Sequence, residues 1–231
     1  MRLHVPAALS RRTLKQFWGA RQAIAAVEFA LVLPLLVVLM LGSVETARLI
    51  TFARRVTLDA TTVVEMLTQN GTGTVNYVDL HFSVDSTMVI FPQILQDAAQ
   101  KGISWKNDIS VSIASVVFTP NPSTCTSNCS YIANVVWNSG PNNNKRTCGV
   151  PLVSAPDTSS PSKTALPADV FGPGSIVVVD IVFSYTPIFG LGLFGTVPIA
   201  RSAYLSPRYV PLIKYAVISG DDGIGAECPG Y

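Results

Sequence analysis

The chain has 231 residues, 48% of them hydrophobic and only 13% charged, which excludes a disordered polar chain and leaves room for a folded domain of ordinary size. Its net charge of +2 hides an asymmetry: residues 1–27 carry Arg2, Arg11, Arg12, Lys15 and Arg21 with no acid, while all fourteen acids lie from Glu28 onward against the remaining eleven bases. Positive charge thus sits on the N-terminal tail and not on the domain, which argues against nucleic acid as a partner.

Residues 1–20 are polar and basic, with Pro6 and Gly19 as helix breakers. A cluster of positive charges just before an apolar span stays on the cytoplasmic side of a membrane, so residues 1–23 read as a basic cytoplasmic leader. From Ile24 to Val44 the only ionisable side chain is Glu28. At about 1.5 Å per residue that stretch makes a helix of roughly 30 Å, the thickness of a bilayer's hydrocarbon core. The run is longer than a secretory signal's apolar core, and a cut after Ala47 would place Glu45 where a small residue is required; a retained anchor is expected. The helix continues as an amphipathic extension, with Leu49, Phe52, Val56, Leu58, Val63, Met66 and Leu67 recurring at helical spacing. It is expected to stop at Asn70-Gly71, so residues 24–69 form a transmembrane helix and its extension. Pro34 is expected to kink the span. Glu28 is the residue that demands an explanation, because a lone carboxylate inside lipid costs a few kcal/mol unless paired or neutralised.

Residues 70–231 read as an extracytoplasmic domain. A Gly/Thr linker at 71–78 leads into short helices over 79–100 broken at Pro92, after which the periodicity changes. Asp108–Thr119 alternates Ile109, Val111 and Ile113 with Ser110 and Ser112, the pattern of a half-buried strand. Tyr131–Asn138, Ser175–Thr186 and Ile199–Ser206 read as further strands, and 139–174, rich in Pro, Ser, Asn and Gly, as a long irregular loop. Loops rather than helical crossovers separate the strands, so the fold class is α+β: a long N-terminal helix, then a small domain with an antiparallel sheet of about four strands.

The four cysteines, Cys125, Cys129, Cys148 and Cys228, suit disulfides in an oxidising compartment. Three pairings are open; Cys125–Cys148 or Cys129–Cys148 would staple the loop between two strands and leave Cys228 to tie down the C-terminal tail. A metal site is disfavoured, since the chain has two histidines and one of them, His4, falls in the leader. Gly190-x-Gly192-x-x-Gly195 matches a dinucleotide fingerprint in spelling but lacks the helix that would face a pyrophosphate, and reads as a Gly-rich hairpin loop. Asp221-Asp222-Gly223 reads as a polar turn. No nucleophile elbow is present, so neither catalysis nor a cofactor is expected.

AAVEFALVLP behind a basic tail, RRVTLDATTVVEMLTQN, a proline-interrupted helix, a strand ending in Trp, then VVVDIVFSYTP followed by a Gly-rich turn and ARSAYLSPR stand in this order over most of residues 21–210. Together they resemble the TadE-like pseudopilins of the tight-adherence (Flp) pilus system. The resemblance implies a type IV pilin-like precursor, cut by a prepilin peptidase between Ala23 and Ile24 so that Glu28 stands fifth in the mature chain. Ala23 departs from the glycine usual before that cut. It further implies that Glu28 pairs with the N-terminal amine of a neighbouring subunit. The implied partners are pilin and pseudopilin subunits, the pilus assembly platform and the peptidase. The implied location is the bacterial inner membrane, single-pass, with the N-terminus cytoplasmic and the main domain periplasmic or incorporated in the pilus. The competing expectation is a signal-anchored periplasmic binding module unrelated to pili, whose domain would work behind any anchor.

Overall fold

A computed structural model of the chain describes residues 21–141, 143–156, 161–189 and 195–231. The basic leader up to residue 20 and the glycine motif from Gly190 to Phe194 lie outside the described residues. The chain divides into two units, one through Arg48 and one from Leu49 to Tyr231. Helix α1 covers Arg21–Thr68, and Pro34 lies inside it without ending it.

The second unit adds β1 (Thr74–Val75), α2 (Tyr77–Asp85), α3 (Thr87–Ile90), α4 (Gln93–Lys101), α5 (Trp105–Asp108), β2 (Ile109–Asn121), β3 (Ser130–Ser139), β4 (Val153–Ala155), β5 (Ala165–Pro167), β6 (Gly174–Tyr185), β7 (Val197–Leu205), β8 (Lys214–Tyr215) and β9 (Gly225–Glu227). Local chemistry sets the helix ends. Asn76 starts α2 through a reciprocal cap: its side chain accepts from the Val78 amide at 2.8 Å while Asp79 accepts from the Asn76 amide at 3.0 Å. Pro92 separates α3 from α4, as its missing N–H dictates. Gly102 closes α4 in the left-handed conformation, φ 67°, that glycine adopts without penalty.

The main sheet has five strands in the order β7-β6-β2-β3-β9, all antiparallel. Four of them are the strands expected from sequence; the fifth, β9, is three residues long. Two further pairs, β1 with β8 and β4 with β5, are parallel. A bulge sets Ser115 opposite Trp137 but Val116 opposite Val135, leaving Val136 as the extra residue. The bulge turns Val136 and Trp137 together into one core.

Each face of the sheet is covered by a different part of the chain. On one face, Phe52, Val56, Ala60, Val63, Val64 and Leu67 of α1 pack with Leu80, Phe91 and Ile94 against Ile113, Val179, Ile181 and Phe183. Phe52 anchors this core, its ring centroid 5.7 Å from Phe183, 5.4 Å from Phe91 and 4.9 Å from Tyr185. On the other face, Leu152, Leu166, Val170 and Phe171 from the connection after β3 cover Ala114, Val116, Phe118, Ala133 and Val178. The half-buried pattern expected for β2 is therefore corrected: it is buried on both faces over most of its length, because the supposed irregular loop is a lid on the sheet.

The disulfides are Cys125–Cys129 and Cys148–Cys228, with Cα separations of 5.7 and 5.3 Å. Neither pairing that would staple the loop between β2 and β3 to Cys148 forms. Cys125 and Cys129 both sit within the β2–β3 turn, and Cys148 faces the segment after β9, whose Cys228 amide donates to the Val136 carbonyl at 2.8 Å.

Candidate functional site

Within the first unit, α1 from Ile24 to Met40 is exposed on every side. Leu31 is 75% and Val38 66% accessible, and the mean hydropathy reaches 2.7 in its most apolar stretch. A helix that is hydrophobic all round, with no protein over it, belongs in lipid or against other helices. It is long and apolar enough to cross a membrane. Glu28 lies exposed near its start, one turn beyond Ile24, and Pro34 follows within two turns. Ala23 belongs to the same helix. Towards the unit's other end Glu45 and Arg48 approach to 3.9 Å, one turn apart, where the apolar run gives way to polar residues.

Among the buried polar residues of the second unit, Arg146 and the acids Asp180, Asp97, Asp108 and Asp59 are the ones that can carry charge into the interior. The Arg146 guanidinium grips Asp180 with two nitrogens, Nε at 2.9 Å and Nη2 at 3.1 Å. Nη1 donates to the Ala165 carbonyl at 2.6 Å, and the Ser202 hydroxyl donates to Asp180 at 2.5 Å. Burial pushes the Asp180 carboxyl up, against the pull of Arg146 and Ser202. This pair holds the lid segment to the centre of β6. The second group is Lys101, which lies 2.6 Å from Asp97 as an ion pair and donates to Asp108 and to the Ser184 carbonyl, joining α4 and α5 to β6. Burial raises Asp108 to about 6, with Lys101 opposing and Asp97 adding to the shift.

Asp59, the third, is fully buried in the middle of the domain part of α1. Among the described residues neither of its carboxylate oxygens has a hydrogen-bond partner, and nor has the buried Thr87 hydroxyl. Burial raises its pKa to about 7, while the Thr87 hydroxyl pulls it the other way.

At the surface, His81 Nε2 meets Asp222 at 2.7 Å and the Tyr215 hydroxyl donates to Asp221 at 2.6 Å. The Gly223 and Ile224 amides donate to the same two carboxylates at 2.9 and 3.1 Å. Asp221-Asp222-Gly223 is thus a polar turn that ties the C-terminal segment to α2 and β8. His81 keeps the Asp222 carboxyl below its usual range.

These residues do not form one cluster. Glu28 belongs to the exposed apolar helix, and the cysteines belong to the domain. Asp59, Arg146 and Asp180 were not singled out from sequence. Two of them left a trace: Asp59 interrupts the apolar face of the amphipathic extension, and Asp180 interrupts the run Val177-Val178-Val179 before Ile181. Arg146, in a stretch of Asn and Lys, left none.

No curated protein and no solved structure matches the chain. Residues 23–62, the stretch that holds Glu28, Pro34 and Asp59, match the model of the TadE-like protein family, so the chain carries a TadE-like segment at this helix.

Proposed function

We propose that the protein is a minor pseudopilin or assembly component of a tight-adherence (Flp) pilus, held in the bacterial inner membrane by α1 and acting through protein–protein contacts rather than catalysis. The observation that carries the reading is a coincidence of place: the TadE-like match at 23–62 takes in the apolar stretch Ile24–Met40, which is exposed all round and bears one acid, Glu28. In lipid that acid costs a few kcal/mol while unpaired. A cationic group on a neighbouring subunit, such as the amine created by a cut before Ile24, offsets the cost in a single register. The same penalty that disfavours the isolated helix then selects its assembled position. Pilin and pseudopilin subunits and the assembly platform are the partners, with the domain on the periplasmic side.

The test is Glu28→Ala in the native host. Pili are expected to be lost, along with co-purification of pilus components, while the protein stays in the membrane fraction. Normal pili in that variant remove the assembly role. N-terminal analysis of the membrane-extracted protein checks processing: a chain starting at Ile24 supports the peptidase cut, and one starting near Arg48 indicates ordinary leader removal.

A further inference from the structure

Asp59 has no role in the membrane reading, yet it is an acid with no exposed surface inside the domain. Its carboxyl is fully buried, its two oxygens are without hydrogen-bond partners among the described residues, and it stands beside Thr87, whose buried hydroxyl is likewise without one. Thr87 opens α3, a single helical turn between two joints. Ser86 both ends α2 and precedes α3 without a side-chain cap, and Phe91-Pro92 ends α3 before α4. This turn is held to α1 at its far end by Arg55, one turn before Asp59, whose Nη1 donates to the Ile90 carbonyl at 3.5 Å. The titratable groups on α2 and α4 are engaged elsewhere: Tyr77 edge-on to His81, Asp79 with the Asn76 amide, His81 with Asp222, Asp85 with Lys106, Asp97 with Lys101, and Lys101 also with Asp108.

We propose that Asp59 is a proton-binding site that latches α3 onto α1, closed while the carboxyl carries its proton and loosened when the proton leaves. The neutral acid fits the apolar site, and only the Thr87 hydroxyl beside it favours the charged form. Among the described residues no ion pair meets a carboxylate in this place, and Arg55 is turned to the Ile90 carbonyl, so opening α3 to admit water relieves the penalty. The closed state holds the proton up to about pH 7, whereas an opened, hydrated Asp59 releases it near the ordinary carboxylate value of about 3.9. Between these limits the closed state binds the extra proton, so its advantage shrinks as pH rises; outside them both states bind equally and nothing changes. The latch therefore tightens on acidification.

The experiment is amide hydrogen exchange on the full chain in detergent, corrected for intrinsic exchange. It reads the Val89, Ile90 and Phe91 amides, which donate to Ser86 and Thr87 carbonyls. Protection is expected to fall about tenfold per pH unit between about pH 4 and 7 and to level off above. In Asp59→Asn it should stay flat. Flat protection in the wild type, or the same fall in Asp59→Asn, overturns the proposal. Should D59N fail to fold, Thr87→Val decides: loss of the hydroxyl that steadies the carboxylate moves the end of the fall above pH 7, and an unmoved profile overturns the latch.

Discussion

The Arg146–Asp180 pair shows how a few atoms can set the fate of a whole segment. Arg146 is 1% exposed, lies in the connection after β3, and meets Asp180 through two nitrogens at the centre of the sheet. Mutual attraction matters less here than the penalty for separation, because a buried charge left alone costs about 3–5 kcal/mol. Arg146→Met should therefore lower domain stability by about that amount in denaturant titration. Asp180→Asn in the same chain should recover part of the loss by removing the stranded charge. A double variant no better than the single would mean that the guanidinium's packing, not its charge, matters. In the sequence one half of this pair left a trace that was not read as a buried charge: an acid between Val179 and Ile181 that interrupts an apolar run. Its cation was not legible, since the partner is thirty-four positions away in a stretch with no apolar period.

At the scale of elements the two disulfides do different work. Cys125–Cys129 spans four positions and Cys148–Cys228 spans eighty. Loop-closure entropy grows with the logarithm of length, giving about 2 kcal/mol for the first and about 4–5 kcal/mol for the second. Cys148→Ser should thus shift the unfolding midpoint at least twice as far as Cys125→Ser, and equal shifts would show that loop closure is not the source. The second bridge also ties the lid side of the sheet to β9, the short edge strand. β-branched and apolar runs announced β2 and β6 in the sequence, and the alternation in β2 gave one buried face correctly. The other face was hidden because its cover has no periodicity: Leu152, Leu166 and the pair Val170-Phe171 stand in short apolar patches among Pro, Ser, Gly and Asp. Elements as short as β4, β5 and β9 hold only three residues each, too few for a period of two to be recognised. Cysteine spacing likewise left the pairing open, because only the fold brings Cys148 beside Cys228.

For the molecule as a whole, the boundary between anchor and domain does not coincide with the end of the long helix. Sequence periodicity joined residues 24–69 into one element, and α1 is one helix to Thr68, but the compact unit begins at Leu49. The reason is burial. Phe52, Val56, Ala60, Val63, Val64 and Leu67 are core residues of the domain, packed in the same cluster as Val179, Ile181 and Phe183. Burying a large apolar side chain is worth about 1.5–3 kcal/mol, so this face contributes on the order of 10 kcal/mol, as much as the entire net stability of a typical domain. A fragment that starts at Asn70 lacks that face and leaves one side of β6 open to water, whereas one that starts at Leu49 keeps the core and sheds the exposed apolar helix. The fragment 49–231 is expected to be soluble and to unfold cooperatively by circular dichroism. The fragment 70–231 should aggregate or show no cooperative transition. A well-folded 70–231 would mean that the sheet and its lid suffice alone, and the C-terminal part of α1 would then be a passenger on the domain instead of half its core.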